Sequence, residues 1–129
     1  MVGLVVVGHG RLSEAMAETL ESVVGRQDAV EAVASGPEDG PQEIRERIAA
    51  AVRRVDRGAG VLIVTDMLGD TQTNMSLAVA RETGAQVVAG VNMPMLIKLS
   101  SVRQEMPLGA LAQFIKRYGQ DHIFCVTAP

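Results

Sequence analysis

The sequence predicts an α/β fold built on a parallel sheet, and three observations support this prediction. Short apolar, β-branched runs alternate along the chain with segments whose apolar residues recur every three or four positions. Two of the runs, 4–7 and 61–64, are apolar at every position, which is typical of strands buried on both faces. No linker or repeat interrupts the alternation. We therefore expect one domain over residues 1–129 with right-handed crossovers.

The first half of the chain is predicted to contain two strands and two helices. The opening strand ends at His9, and an amphipathic helix follows from about Arg11 to Val24. The predicted buried face of this helix comprises Leu12, Ala15, Met16, Leu20 and Val23. A weaker strand is predicted at about Ala29 to Ala34. A turn-rich loop then leads to a helix that begins at Pro41, a residue favoured in the first turn.

The second half of the chain repeats the pattern. The strand at 61–65 ends at Asp66, and a polar turn leads into a helix from about Gln72 to Thr83. The remaining predicted elements are a strand at Gln86 to Val91, helices that begin near Asn92 and at Pro107 (the latter closed by Gly119), and a last strand at His122 to Val126. The last strand has no crossover of its own. We expect it to pair at an edge of the sheet, in this subunit or in another.

Composition narrows the classes of function. Twelve basic and fifteen acidic residues give a net charge of −3 without any basic run, which argues against a nucleic-acid partner. The one cysteine, Cys125, excludes an internal disulfide and fits a reducing compartment. No apolar run is long enough to span a membrane. We therefore expect a cytoplasmic protein with no direct membrane insertion.

Two residues that are capable of chemistry stand at the ends of the buried strands. His9 lies between Gly8 and Gly10, which we expect to let the backbone turn and to leave room for another molecule beside the ring. If strands one and three are neighbours, His9 faces Asp66 across the switch point at which α/β sheets bind ligands. A carboxylate that holds one imidazole nitrogen raises the basicity of the other.

The turn after Asp66 leads into a helix N-terminus, where free N–H groups and the helix dipole favour an anion. The Thr71 hydroxyl can add a hydrogen bond. Together with the histidine, this turn suggests phosphoryl transfer through phosphohistidine. Each feature also has a structural explanation, since an aspartate before a turn is often a cap and the turn lacks a Walker-type lysine. The residues by themselves leave both interpretations open.

The other candidate residues are assigned structural or surface roles. His122 lies in an apolar segment beside Phe124, and we expect it to be structural. Five methionines are expected to pack rather than to bind a metal. They are Met67, Met75, Met93, Met95 and Met106. No metal site is predicted.

Three segments occur in order along the chain with no large insertion between them: VVVGHG at 5–10, TDMLGDTQTN at 65–74 and GVNMPML at 90–96. Together they resemble the mannose-type IIA domain of the bacterial sugar phosphotransferase system. The resemblance implies a four-stranded parallel sheet of order 2-1-3-4 flanked by helices. It also implies a homodimer in which a C-terminal antiparallel strand, here His122 to Val126, is exchanged between subunits.

The resemblance further implies a phosphotransferase activity. His9 would accept a phosphoryl group from the phosphocarrier protein HPr and pass it to a IIB domain, while Asp66 orients the ring. The implied phosphoryl-binding residues are Gly10, Gly69, Asp70 and Thr71. No metal or organic cofactor is implied.

The chain departs from the family pattern in the turn before the third helix. That turn usually reads Gly-Gly-Ser/Thr-Pro, whereas this chain has Gly69-Asp70-Thr71-Gln72. Asp70 places a negative charge near an incoming dianion. Gln72 loses the pre-organisation that proline provides. The chain ends at Pro129 without a linker to a IIB domain, so we expect a stand-alone IIA protein.

Three alternatives compete with the phosphocarrier. The first is a regulatory module of the same fold that no longer relays phosphate to a IIB domain. The second is a chelatase for tetrapyrrole metal insertion, which would need further metal-binding residues, yet the only other histidine is His122. The third is the phosphotransferase-linked subunit of dihydroxyacetone kinase. Its turn is typically Gly-Ser-Ala, which matches less well than the turn found here.

Overall fold

The chain folds as a parallel β-sheet covered by helices on both faces. The structure, a computed structural model, describes residues 1–129. Its strands are β1 (Gly3–His9), β2 (Val30–Ser35), β3 (Val61–Thr65) and β4 (Gln86–Ala89). Its helices are α1 (Leu12–Val24), α2 (Pro41–Val55), α3 (Thr71–Thr83), α4 (Met93–Val102) and α5 (Leu108–Asp121). None of the five helices has the length and apolar composition that a membrane crossing requires.

The strand order is β2-β1-β3-β4 and every pairing is parallel, which confirms the predicted α/β class and sheet order. Every residue of β3 is buried, as is every residue of β1 before His9. These two strands have neighbours on both sides and helices on both faces, so an apolar residue is required at each position. The chain moves outward from β1 to β2 and then returns to β3. The switch point of the sheet therefore lies between β1 and β3.

The core has two halves, one on each face of the sheet. Val5 and Ile63 pack with residues of α2 and α3, among them Ile48, whereas Leu4 and Leu62 pack with residues of α1, α4 and α5. Alternate residues of a strand point to opposite faces. The two fully apolar strands therefore supply both halves of the core.

Helix α1 differs from the prediction in which face it buries. Leu12 and Val23 are 46% and 59% exposed and Ala15 is exposed as well, so the assignment of these three residues to the buried face was wrong. Leu20 is buried as predicted, and the helix is rotated so that Ser13 also faces the core. The Ser13 hydroxyl donates a hydrogen bond to the Val33 carbonyl at 2.8 Å, which satisfies a buried polar group that hydrophobic patterning would place outside.

The end of α5 also differs from the prediction, whereas pairing of the C-terminal segment with another subunit stays a prediction. Helix α5 does not end at Gly119 but continues to Asp121, and His122 caps its last turn with Nδ1 lying 2.7 Å from the Tyr118 carbonyl. Residues 123–129 form no strand in this chain and are exposed. A strand needs a neighbour to bond its backbone groups, and within one chain this segment pairs with no strand.

A buried cation ties the end of α4 to the start of the sheet. Arg103 is 2% exposed, and its guanidinium donates to the carbonyls of Val2 at 3.0 Å, Ala29 at 3.2 Å and Asp28. Val2 and Ala29 directly precede β1 and β2. A single side chain thereby connects α4 to the amino ends of two strands.

We expect Arg103→Met to lower the free energy of unfolding by about 2–4 kcal/mol, because it leaves buried carbonyls without their donor. Urea denaturation followed by circular dichroism measures this change. The matched control is Arg53→Met at an exposed position of α2, which should alter stability by no more than about 0.5 kcal/mol. Equal losses in the two variants would contradict a structural role for the buried guanidinium.

Candidate functional site

His9 and Asp66 meet at the carboxyl edge of the sheet, at the switch point between β1 and β3. His9 is the last residue of β1, and Asp66 directly follows β3. Val7 is aligned with Thr65 in the pairing of the two strands, so both side chains emerge from adjacent strand ends. The structure thus brings together the two residues that the sequence singled out.

Asp66 holds His9 at two points. Its Oδ2 accepts hydrogen bonds from the backbone N–H of His9 at 3.0 Å and from ring Nδ1 at 2.7 Å. Its Oδ1 accepts from the N–H of Met67 at 3.0 Å. The Asp66 side chain is 11% exposed and the His9 side chain 42%. Because Nδ1 donates to Asp66, Nε2 is the ring nitrogen that is left for chemistry.

The pair shifts the pKa of both of its members. The hydrogen bond to Asp66 raises the pKa of His9, partial burial opposes that rise, and the negative charges of Asp66 and Asp70 add to it. Burial alone would raise the pKa of Asp66. The hydrogen bonds from His9 and Met67 and the charge of His9 outweigh burial, so the pKa of Asp66 lies below its usual value. Both shifts favour an imidazolium–carboxylate pair.

The two glycines beside His9 have different surroundings. A Cβ at Gly8 would lie 3.3 Å from the backbone nitrogen of Ser13 and 3.5 Å from Asp66 Oδ2. The expected room for a ligand beside Gly8 is therefore filled by α1 and by Asp66. Gly10 has a φ of +56° and open space where a Cβ would be. Only the Gly10 side of the ring matches the expectation.

Asp70 lies against the free nitrogen of the ring. It is the N-cap of α3, where its Oδ1 accepts a hydrogen bond from the N–H of Thr73 at 2.7 Å. Its Oδ2 lies 3.2 Å from His9 Nε2. His9 is thus placed between two carboxylates, one at each ring nitrogen.

An open cleft of about 400 Å³ lies beside the ring, between the loop after β2 and the turn before α3. Gly69 and Thr71 line this cleft together with Asp70, while Gly10 lines an adjoining hollow. The first N–H groups of α3, those of Thr71 and Gln72, have no carbonyl partner within the helix. They and the helix dipole favour an anion at this end of the cleft, whereas the Asp70 carboxylate at the same helix end opposes one.

Buried polar contacts that the sequence did not predict fix the start of α3. Gln72 is 7% exposed, and its Nε2 donates to the Ser35 hydroxyl at 2.8 Å. That hydroxyl donates to the Gly8 carbonyl at 3.3 Å. The hydroxyls of Thr73 and Thr65 are hydrogen-bonded at 2.8 Å. The run of polar residues directly after a buried strand is the sequence signal that could have indicated these buried contacts.

His9, Asp66 and Asp70 also offer ligand atoms within 4.8 Å of one another, as a metal site would require. However, Asp66 Oδ2 already accepts two hydrogen bonds from His9. Only Nε2 and the Asp70 carboxylate then face a common point, fewer donors than the three protein ligands of a catalytic zinc site.

Comparisons with known proteins agree on one family. The model of the EIIA-man family, described as "PTS system fructose IIA component", matches residues 3–116. The chain is 26% identical over 122 residues to the PTS system fructose-specific EIIA component of Bacillus subtilis, covering 94% of this chain and 84% of that protein. It is 29% identical over 107 residues to the PTS system mannose-specific EIIAB component of Escherichia coli strain K12, covering 82% of this chain and 33% of that protein.

Solved structures share the fold. The mannose/sorbose specific IIA subunit of the phosphotransferase system from Enterococcus faecalis matches with a TM-score of 0.89 and 23% identity, covering 99% of this chain and 96% of that one. The phosphotransferase system component EIIA from Streptococcus agalactiae matches with a TM-score of 0.88 and 22% identity, covering 97% of each chain. Nearly the whole chain thus follows a known architecture.

We expect His9 to titrate above its ordinary pKa of 6.5 and Asp66→Asn to lower this pKa, because the amide removes the charge that favours the imidazolium. Proton NMR of the imidazole ring against pH measures both values. Asp56→Asn, which removes an exposed carboxylate at the C-terminal end of α2, near the opposite edge of the sheet, is the control and should leave His9 unchanged. An unchanged titration in Asp66→Asn would contradict the hydrogen bond.

The same shifts determine how the pair contributes to stability. The His9 pKa is raised, so its contribution is full below pH 6.5 and is lost as the pH rises through the folded-state pKa. The Asp66 pKa is lowered, so its contribution is full above pH 3.8 and is lost as the pH falls through the folded-state pKa. The stabilising effect of the pair is therefore greatest between pH 3.8 and pH 6.5, where both contributions are full.

Proposed function

We propose, because the chain belongs to the EIIA-man family of sugar phosphotransferase system IIA components, that it is a phosphocarrier with His9 as its phosphoacceptor. HPr is the proposed donor and a IIB domain the proposed acceptor. The observation that supports this most directly is the pair of hydrogen bonds by which Asp66 orients His9. They leave Nε2 as the free ring nitrogen beside the cleft. The sugar downstream is chosen by other components.

In the proposed step, the Nε2 lone pair attacks the phosphorus atom carried by HPr. The nitrogen–phosphorus bond forms while the bond between phosphorus and the donor atom breaks, and the electron pair of that bond leaves with HPr. A proton on Nε2 must first pass to solvent, since the lone pair is the nucleophile. Asp66 accepts the Nδ1 hydrogen bond throughout and stabilises the positive charge that the ring gains.

The start of α3 supplies the proposed phosphoryl contacts. The N–H groups of Thr71 and Gln72 are free for an anion, and the helix dipole adds to their attraction. The Thr71 hydroxyl lies in the same cleft, and Gly69, with a φ of +92°, shapes the turn. Gly10 leaves open space on the other side of the ring.

Exposed apolar side chains near the site favour a protein as the partner. Leu12, Met67 and Leu68 are 46%, 51% and 78% exposed, and they closely follow His9 and Asp66 in the chain. Large apolar side chains at the rim of a polar site are typical of surfaces that bind other proteins. They support HPr and a IIB domain, rather than a free small molecule, as donor and acceptor.

We expect the wild-type protein to gain the mass of one phosphoryl group when incubated with phosphoenolpyruvate, enzyme I and HPr. His9→Gln should gain none, because it lacks the nucleophile. The chain has two histidines, so His122→Gln is the matched control and should be modified like the wild type. Intact-mass spectrometry before and after mild acid treatment reads the result, since phosphohistidine is acid-labile. Labelling of His9→Gln, or none of the wild type, would overturn the proposal.

A regulatory module is the second candidate, and the contact of Asp70 with Nε2 favours it because the carboxylate makes His9 a weaker phosphoryl acceptor. The two candidates differ in what the phosphorylated protein does next. Purified phosphoprotein incubated with a IIB domain would transfer its group in the first case and keep it in the second.

We also propose a homodimer formed by exchange of the C-terminal segment. Strand β4 lies at the end of the sheet with one edge unpaired. A hollow of about 400 Å³ runs along this strand and α5 as far as Ile123. In the exposed tail, Phe124 is 70% and Val126 86% exposed. A partner's tail paired with β4 would cover both the open edge and the apolar side chains.

We expect deletion of residues 123–129 to convert a dimer into a monomer, because it removes the segment that would pair with β4. Deletion of 127–129 alone is the control and should leave the dimer intact, since it keeps the apolar part of the tail. Sedimentation equilibrium measures both. A monomeric full-length chain at high concentration would count against the exchange.

A further inference from the structure

Asp70 occupies the side of the His9 ring to which a phosphoryl group would bind. Asp66 accepts a hydrogen bond from Nδ1 at 2.7 Å, and Asp70 Oδ2 lies 3.2 Å from Nε2. We propose that Asp70 competes with the phosphoryl group for Nε2 and so sets how far the phosphorylation equilibrium lies toward phospho-His9. This inference rests on the proposed function, because it requires Nε2 to be the phosphoacceptor.

The backbone of α3 holds Asp70 in this place. Its Oδ1 is bound by the N–H of Thr73 at 2.7 Å, as an N-cap, so the side chain is not free to turn toward solvent without losing that bond. The start of α3 is itself fixed by the buried contacts of Gln72 and Thr73. The carboxylate is thus part of the helix cap and part of the imidazole site at once.

The second oxygen of Asp70 has no other polar partner. Oδ2 is shielded from solvent and makes no hydrogen bond of good geometry, and it lies 3.2 Å from Nε2 of the His9 ring. A buried carboxylate oxygen without a donor is costly, and it would be repelled by a lone pair on Nε2. The resting arrangement is therefore stable with a proton on Nε2, the state in which this nitrogen is not a nucleophile.

A phosphoryl group on Nε2 would turn the favourable contact with Asp70 into a repulsive one. Its oxygens would replace the proton in the 3.2 Å gap between Nε2 and Asp70 Oδ2. A dianion and a carboxylate would then face each other in a partly buried site, where their repulsion is weakly screened. Asp70 must leave its cap or the phosphorylated state must rise in free energy. Either way the chain is a weaker acceptor and a stronger donor of phosphoryl groups.

The test is the equilibrium between phospho-HPr and this protein, measured by intact mass at a fixed ratio of phospho-HPr to HPr. We expect Asp70→Asn and Asp70→Ser to raise the equilibrium ratio of phosphorylated to free protein by tenfold or more. Both replacements can still cap α3, so thermal unfolding should show an intact fold. Glu38→Gln is the charge-matched control, since this exposed carboxylate lies in the loop across the cleft, and it should change the ratio by less than twofold.

A second measurement separates direct contact from a change in the helix. Nitrogen-15 NMR of the His9 ring should show that Asp70→Ser lowers the pH at which Nε2 loses its proton, because the contact at 3.2 Å is gone. A merely structural role would leave that pH unchanged while altering thermal stability.

The outcomes distinguish this inference from the proposed function. If neither the wild type nor any Asp70 variant accepts phosphate from HPr, the proposed function is overturned. If the wild type is phosphorylated and the Asp70 variants reach the same equilibrium, the function stands and the role of Asp70 is overturned. Measurable phosphorylation of the wild type that the Asp70 variants exceed by tenfold or more supports both.

Discussion

The parallel pairing of β1 with β3 is the constraint on which the whole site depends. Both strands are buried among helices on two faces, and core packing holds their register. The Asp66 N–H donates to the Val7 carbonyl at 3.2 Å and extends the ladder by one residue. The Asp66 carboxylate consequently reaches both the backbone and the ring of His9. The geometry of this pair is set by the rigid sheet rather than by flexible loops.

Hydrogen bonds between buried polar side chains fix the position of α3 relative to the sheet. Gln72 bonds to Ser35 at the end of β2, and Thr73 bonds to Thr65 at the end of β3. Buried polar groups that all have partners add rigidity at little cost. Gln72 stands where the family pattern has proline. The hydrogen bond that its side chain donates to Ser35 provides here the positioning that proline provides by restricting φ.

The two carboxylates of the site differ in what they stabilise. Asp66 acts through Nδ1, so it favours a positively charged ring whether Nε2 carries a proton or a phosphoryl group. Asp70 acts at Nε2 itself, so it favours only the protonated ring. On the proposed function, one carboxylate supports the phosphorylated state and the other opposes it. A balance between relay and regulation can thus depend on a single side chain at a helix cap.

Local patterns in the sequence determined the class of fold, the bounds of most elements and the strand-end positions of His9 and Asp66. Apolar runs, helical periodicity and glycine or proline boundaries depend on neighbouring residues, so a single sequence displays them. The tertiary structure decided the rotation of α1 onto Ser13, the partner of Gln72 and the direction of Asp70 Oδ2 toward the ring. It also left the predicted last strand unpaired within the chain. Each of these depends on contacts between segments far apart in sequence, which no local pattern encodes.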